Sequence, residues 1–365
     1  MRKYLSLTIL VCLSAFSSHA IIRTVSNTPS TLAQFNTIQA AVDASSSGDT
    51  IYVHGSPNQY AVFTITNKQL VVIGPGWSPN KNLPLTAVVQ GCIITGASSS
   101  NTEIQGLVFT TTVNMSNTGH PNNLRFIRND FLTFVGINIG EGGVTYSGYL
   151  FEGNIFENAQ VQASAGSTYQ NFLFQNNYFY ESGCCIGGNV SSFVNSVNVL
   201  FNHNLWFGPS SNTRDCFAGN CRFLTITNNI FVRRDAGNQN SQSTFNNNIT
   251  FYPPVSTPPS DPWAINGNVN SGGNVSNQDP QMVAQTTING GANNALQDFT
   301  INAGPANNSA SDGKDMGLLF DATGSLNWAT SRNSRLPFIF SMNITNPTIP
   351  QGGTLTVQVE ARKNN

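Results

Sequence analysis

Charged side chains are scarce in this 365-residue chain, so the few that gather in one region are the first to question. Glu157, Glu181, Arg214, Asp215, Arg233, Arg234 and Asp235 recur through its middle. Two carboxyls flanking a sugar can act as general acid and base, and an arginine beside them can hold an anion or developing negative charge. Glu181, Arg214, Asp215 and Arg233 are therefore the candidate catalytic groups. Glu157, Tyr178, Tyr180, Arg234 and Asp235 are the candidate ligand-binding groups, and Tyr146 and Tyr149 could extend a stacking platform for sugars. The bland alternative is a set of solvated loop charges in weak surface pairs, beside tyrosines that need no special role. His54 and His120 have no evident partner, and His203 reads as a turn residue rather than a catalyst.

Any site must be positioned by the phrase that recurs around these residues: an aromatic or Ile, two residues, Asn, one residue, an aromatic. It reads Phe126-Ile-Arg-Asn129-Asp-Phe131, Phe151-Glu-Gly-Asn154-Ile-Phe156, Phe174-Gln-Asn-Asn177-Tyr-Phe179, Phe201-Asn-His-Asn204-Leu-Trp206 and Ile226-Thr-Asn-Asn229-Ile-Phe231. A degraded copy ends at Phe245-Asn-Asn-Asn248-Ile-Thr250, and Ile104-Gln-Gly-Leu107-Val-Phe109 lacks the Asn. The Asn steps of 25, 23, 27 and 25 residues signal a repeat fold. The two large apolar residues stand an odd number apart, so a straight strand would send them to opposite faces and the chain must bend between them. Asn tolerates positive φ, which places the expected bend on the ladder Asn itself. Short β-rich phrases bounded by Gly, Ser and Asn exclude helices and predict stacked coils of parallel strands. Asn129, Asn154, Asn177, Asn204 and Asn229 would then form an internal amide ladder, with a column of aromatic rings beside it.

Residues 1–20 carry Arg2 and Lys3, an apolar run from Leu5 to Leu13 and the ending Ser18-His19-Ala20, which reads as a secretory signal cleaved after Ala20. No later stretch has the length of apolar residues a membrane span needs. The expectation is a secreted, cell-surface or periplasmic protein. Removing Arg2 and Lys3 leaves 14 basic against 17 acidic residues, a balance that gives nucleic acid no hold. Five cysteines remain: Cys92, Cys184, Cys185, Cys216 and Cys221. Export permits a disulfide, and Cys216 with Cys221 could close a short loop. The alternative for the cysteines is burial as small apolar groups, and no His or carboxylate shares a metal-ligand spacing with them.

In chain order, Ser30 or Thr31 can cap a helix bearing Leu32, Phe35, Ile38, Ala41 and Val42, which would close the open end of the solenoid. First-coil strands are expected near 50–53, 62–66, 70–73, 88–95 and 103–109, with 75–85 a protruding loop. The prolines after Phe251 predict a break in the coil pattern. Residues 336–345 and 354–361 alternate as in a hairpin, so 21–320 is expected as one domain and 321–365 as an extension.

The ladder phrases, the onset Ile38-Gln-Ala-Ala-Val-Asp43 with Gly48-Asp-Thr-Ile-Tyr-Val53, the Ile73-Gly-Pro-Gly-Trp77 phrase and Asp312-Gly-Lys-Asp-Met-Gly317 together resemble the pectin-lyase-like superfamily. The resemblance covers roughly residues 30–320 and implies an all-β, right-handed, single-stranded parallel β-helix, in which the stretch from Asp279-Pro280 to Phe320 resembles the closing segment. It also implies what chemistry to look for: a Lys or Arg base with calcium in the lyases, clustered aspartates in the glycosidases. No Lys occurs between Asn82 and Gly313, and neither an adjacent Asp-Asp pair nor Gly-His-Gly is present in the coil region. The resulting expectation is an exported, non-catalytic, carbohydrate-binding or adhesive scaffold, without cofactor. The alternative is a polysaccharide lyase or glycoside hydrolase acting on an acidic polysaccharide, with calcium only in the lyase case.

Overall fold

The structure is a computed structural model that describes residues 20–29, 31–77, 85–115, 118–182, 187–210, 212–253, 255, 257–320, 326–331, 337–344 and 352–363. The signal segment, the 78–84 stretch of the expected loop, Ser30 and Cys184-Cys185 lie outside the described residues. Three long parallel sheets build a β-solenoid, with eleven, eight and seven strands. A typical coil contributes Leu173–Gln175 to the first sheet, Tyr178–Tyr180 to the second and Val190–Ser191 to the third.

Register explains why the phrase repeats. Phe126, Phe151, Phe174, Phe201, Ile226 and Phe245 are paired neighbours along the first sheet. Along the second, Phe109, Phe131, Phe156, Phe179, Trp206 and Phe231 do the same. All twelve are buried. Rings of successive coils stack, with centroids 4.4 Å apart for Phe151 and Phe174, 4.3 Å for Phe174 and Phe201, and 3.9 Å for Phe179 and Trp206. Each coil thus buries its apolar face only by meeting the next.

The asparagine ladder is present and longer than the five expected rungs. Asn177 Nδ2 donates to Phe151 O at 2.9 Å and to Asn204 Oδ1 at 3.0 Å. Its own Oδ1 accepts from Asn154 N and Nδ2. Both amide hydrogens and both lone pairs are therefore used, which is what a buried amide requires. The pattern repeats from Asn129 through Asn229 to Asn248 and Asn274, where Asn274 Nδ2 turns back to Asn270 Oδ1. The degraded copy is thus a full rung, and the coil pattern does not break after Phe251: Val269–Asn270 adds the last strand of the first sheet. A rung needs only the Asn and an inward neighbour, and Thr250 fills the aromatic's place while buried.

The bend differs from expectation in one residue. Positive φ belongs to the residue before each ladder Asn, at Arg128, Gly153, Asn176, His203, Asn228 and Asn247. The ladder Asn must aim both its backbone N–H and its side chain along the solenoid, so the left-handed corner falls on its predecessor. The capping helix also starts later, at Ile38–Ala44, with Thr37 Oγ1 accepting from Ala40 N at 3.1 Å. Leu32 is fully exposed, because Phe35 pairs with Val25 across the edge of the first strand and holds that segment extended.

A second apolar core lies outside the coils. Ile155, Tyr178, Leu205 and Ile230 of the second sheet's outer face are covered by Met282, Ile288, Phe299, Met316, Leu318 and Trp328 of a returning segment. The corner residues grip that segment: Asn247 Nδ2 donates to Ser309 O, Asn228 Oδ1 accepts from Ser311 N, and Asn176 Oδ1 accepts from Leu319 N. Further on, Pro337–Ile344 and Val357–Lys363 form the expected antiparallel hairpin.

Candidate functional site

The structure separates the nine candidate residues by depth and by partner. Arg233 is consumed by the fold. It is fully buried, and its five guanidinium N–H groups all reach carbonyls: Pro209 O at 2.6 Å, Pro253 O at 2.9 Å, Asn289 O at 3.1 Å, Gly208 O at 2.9 Å and Ile288 O at 2.5 Å. Burial draws its pKa down. Nothing is left over for a substrate, and the arginine joins loop to returning segment.

Arg234 and Glu181 form a buried ion pair at 3.4 Å where the chain turns from the second sheet toward the third. Arg234 also donates to Asn189 Oδ1 at 2.8 Å and Asp215 O at 2.5 Å, and its Cζ lies 5.9 Å from the Trp206 ring centroid. Burial raises the Glu181 pKa, and Arg234 and Arg214 oppose the rise. Glu181 is 2% exposed and cannot meet a polymer. A buried pair of this kind fixes geometry more than it adds stability.

What remains accessible is a pair the linear sequence hides. Arg214–Asp215 and Arg234–Asp235 are short parallel strands in register, which sets Asp215 beside Asp235 on adjacent coils. Asp215 accepts from Asn238 Nδ2 at 2.9 Å, and Asp235 Oδ1 accepts from Gly237 N and Asn238 N at 2.8 and 3.0 Å. Burial raises the Asp215 pKa, and the neighbouring Asp235 adds to the rise. The absence of an Asp-Asp pair in the linear sequence is therefore overcome by stacking. The repeated dipeptide Arg-Asp, one coil apart, was the available signal.

Glu157 does not join this group. It faces outward from the second sheet, beneath the returning segment, where it takes a hydrogen bond from Asn293 Nδ2. Tyr178 OH donates to Asn293 Oδ1 at 3.0 Å. Asp130, on the preceding coil, is the residue sequence reasoning passed over, and burial beside Glu157 pushes its pKa up to about 8.

The tyrosine platform is corrected as well. Tyr146, Tyr149, Tyr178 and Tyr180 are all buried. Tyr146 stacks on Tyr169 at 5.7 Å, Tyr149 on Phe172 at 4.6 Å, and Tyr178 lies against Trp328 at 6.0 Å. Their rings pack the core and have no free face for a sugar.

His120 is not without partners, since its Nδ1 stands 3.5 Å from Glu141 and 3.5 Å from Tyr146 OH. His203 occupies a corner at positive φ, as a turn residue should, and lies 3.2 Å from both Gly317 O and Asp312 Oδ2.

The Cys216–Cys221 bridge is also corrected. Both are free, buried thiols, and Cys221 Sγ is 3.3 Å from Ala218 O. Burial lifts both thiol pKa values, that of Cys221 to about 12. Cys92 is buried and free in the same way. Among the described residues no group of three or more His, Cys, Asp or Glu could hold a metal ion, and no helix is long and apolar enough to cross a membrane.

One extended surface is free of charge. Thr64, Ile93, Asn114, Asn138, Gln162, Ser191 and Ala218 are register partners on seven successive strands of the third sheet. Their inward neighbours Phe63, Cys92, Val113, Ile137, Val161, Val190 and Phe217 fill the core, so this column faces out.

No protein-family model matches the chain, and no curated protein shows significant similarity to it.

Proposed function

We propose that this chain is an exported scaffold that binds carbohydrate, or adheres to a glycan-bearing surface, without acting as an enzyme. The observation that carries the reading is the uncharged outer column of the third sheet. From Asn114 through Asn138 and Gln162 to Ser191 it carries amide and hydroxyl side chains at strand spacing, about 4.8 Å. Such a column suits a neutral polymer that presents hydroxyls along its length. The commitment of Arg233, Arg234 and Glu181 to internal contacts supports the same reading, because it removes three of the charged candidates from the surface. Membership of the pectin-lyase-like superfamily, right-handed winding and export through the N-terminal signal are parts of the proposal. They rest on sequence resemblance and on residues 1–20.

In affinity electrophoresis against plant, algal and host glycans, the protein should be retarded by at least one. Asn138→Ala with Gln162→Ala should weaken that retention about tenfold, the equivalent of about 1.4 kcal/mol. Retardation by none of them, or retardation that the double variant leaves unchanged, contradicts the reading.

A second reading is favoured by one observation, the Asp215 and Asp235 carboxyls side by side with one pKa raised. A pair that shares a proton can supply acid and base to a glycosidic bond. Under this reading the chain is a glycoside hydrolase, or a lyase that would recruit calcium, and Arg214 would orient the substrate.

A further inference from the structure

The phrase Ile73-Gly-Pro-Gly-Trp77 carries the chain off the first sheet with a large aromatic at its end. Gly74 passes so close to the next coil that a Cβ there would stand 2.5 Å from Gly106 O, and Gly76 turns at a φ of 109°, a conformation open to glycine. Gly76 N donates to Gly106 O at 2.9 Å, which fixes the direction of exit. Trp77 then joins the outer core, with its ring centroid 5.4 Å from that of Trp328.

The two indoles are not equivalent. Trp328 Nε1 donates to Ala295 O at 3.1 Å, whereas Trp77 Nε1 is buried with no hydrogen-bond partner. Trp77 is 8% exposed, and a donor buried unpaired is destabilising until something supplies an acceptor. Beside it lies a cavity of about 330 Å³, whose lining includes Trp77, Leu296, Gln297, Asp298, Thr300 and Trp328. That volume is at the small end of the range for small-molecule sites. Part of the lining is polar: Asp298 Oδ1 accepts from Thr300 N at 3.0 Å and from Thr300 Oγ1 at 2.6 Å, which leaves Oδ2 for a donor from outside. Among the described lining residues there is no Lys or Arg.

We propose that this cavity binds a single neutral sugar ring, with Trp77 Nε1 donating to one ring oxygen or hydroxyl and Asp298 Oδ2 accepting from another hydroxyl. The C–H face of a sugar matches the indoles and Leu296, and its hydroxyls match the unpaired N–H and the carboxylate. An acidic sugar would meet Asp298 with no cation to offset the repulsion. The ligand class rests on the carbohydrate reading above, while the place of the site is independent of the third sheet's outer column.

The chain has four tryptophans, so an indole N–H spectrum of the nitrogen-labelled mature protein is simple, and Trp77→Phe assigns the Trp77 signal by its loss. Titration with glucose, galactose, mannose and N-acetylglucosamine should move that signal saturably for at least one sugar. The signals of Trp206 and Trp263, which pack in the coil core, should stay in place. Asp298 is exposed, so Asp298→Ala keeps the fold and should weaken the affinity about tenfold. No shift with any of these sugars, a shift that fails to saturate, or an affinity that Asp298→Ala leaves unchanged overturns the proposal. Retardation in the affinity gel without an indole shift would sink the cavity and leave the outer column standing; a saturable shift without retardation would do the reverse.

Discussion

Replacing one central rung, Asn177→Ala, should lower the unfolding free energy by about 4 kcal/mol, and the loss should spread beyond its own coil. The side chain supplies two donated and two accepted hydrogen bonds, all between buried groups. Truncation leaves Phe151 O, Asn154 N, Asn154 Nδ2 and Asn204 Oδ1 each short of a partner where water does not reach. An orphaned buried group costs about 1–3 kcal/mol, and partial relaxation keeps the total below the sum. Each rung is bonded to the next, so unfolding should lose cooperativity at this coil as well as stability. Asn274→Ala, at the half-exposed end of the ladder, should cost roughly 1 kcal/mol or less because solvent can replace the lost bonds. Urea midpoints for the two variants give the comparison; equal shifts would mean the ladder is decorative.

The second large effect is expected at Arg233. Arg233→Met removes five donors at once and leaves the carbonyls of Gly208, Pro209, Pro253, Ile288 and Asn289 facing an apolar side chain. Each orphaned buried carbonyl costs about 1–3 kcal/mol, and partial relaxation keeps the total near the size of two or three of them. The loss should concentrate where the returning segment meets the coils, so proteolysis within 285–298 should become fast while the ladder region persists. Arg233→Lys should rescue little, since an ammonium has three donors and cannot span the same fork. Protection of 285–298 in Arg233→Met would show that apolar contacts alone seat the segment.

The fold was legible because the phrase carries geometry at every position. The five-residue spacing of Phe126 and Phe131 forces a corner, and the Asn between them has a single economical use once coils stack. The corner's position was off by one residue because composition does not say whether Asn or its predecessor takes the left-handed turn. Arg128 and His203 are poor advertisements for positive φ. Resemblance marked 279–320 as a closing segment, but where it docks was not legible: its partners Ile155, Tyr178 and Leu205 read in sequence like coil interior, and nothing local tells an outward apolar residue that is covered from one that is not.

The candidate site was legible only as a list. Sequence placed Glu181, Arg214, Asp215, Arg233 and Arg234 in one neighbourhood, and the coils do bring Arg214, Asp215 and Arg234 close enough to act on Glu181. What sequence lacked was depth. Whether an arginine next to a strand end points in or out depends on the neighbouring coil's carbonyls, and Arg233 and Arg234 are adjacent residues with different partners. The same limit applied to the tyrosines, whose aromatic rings turned out to be core.

The claim that this scaffold binds without cleaving is tested most directly by assaying reducing ends and unsaturated products. The purified mature protein would be incubated with the same glycan panel, with and without calcium. The account predicts no product from any glycan, including the one that retards the protein in the affinity gel. Product that disappears in Asp215→Asn while the fold is retained would contradict it and move the function to the Asp215 and Asp235 pair.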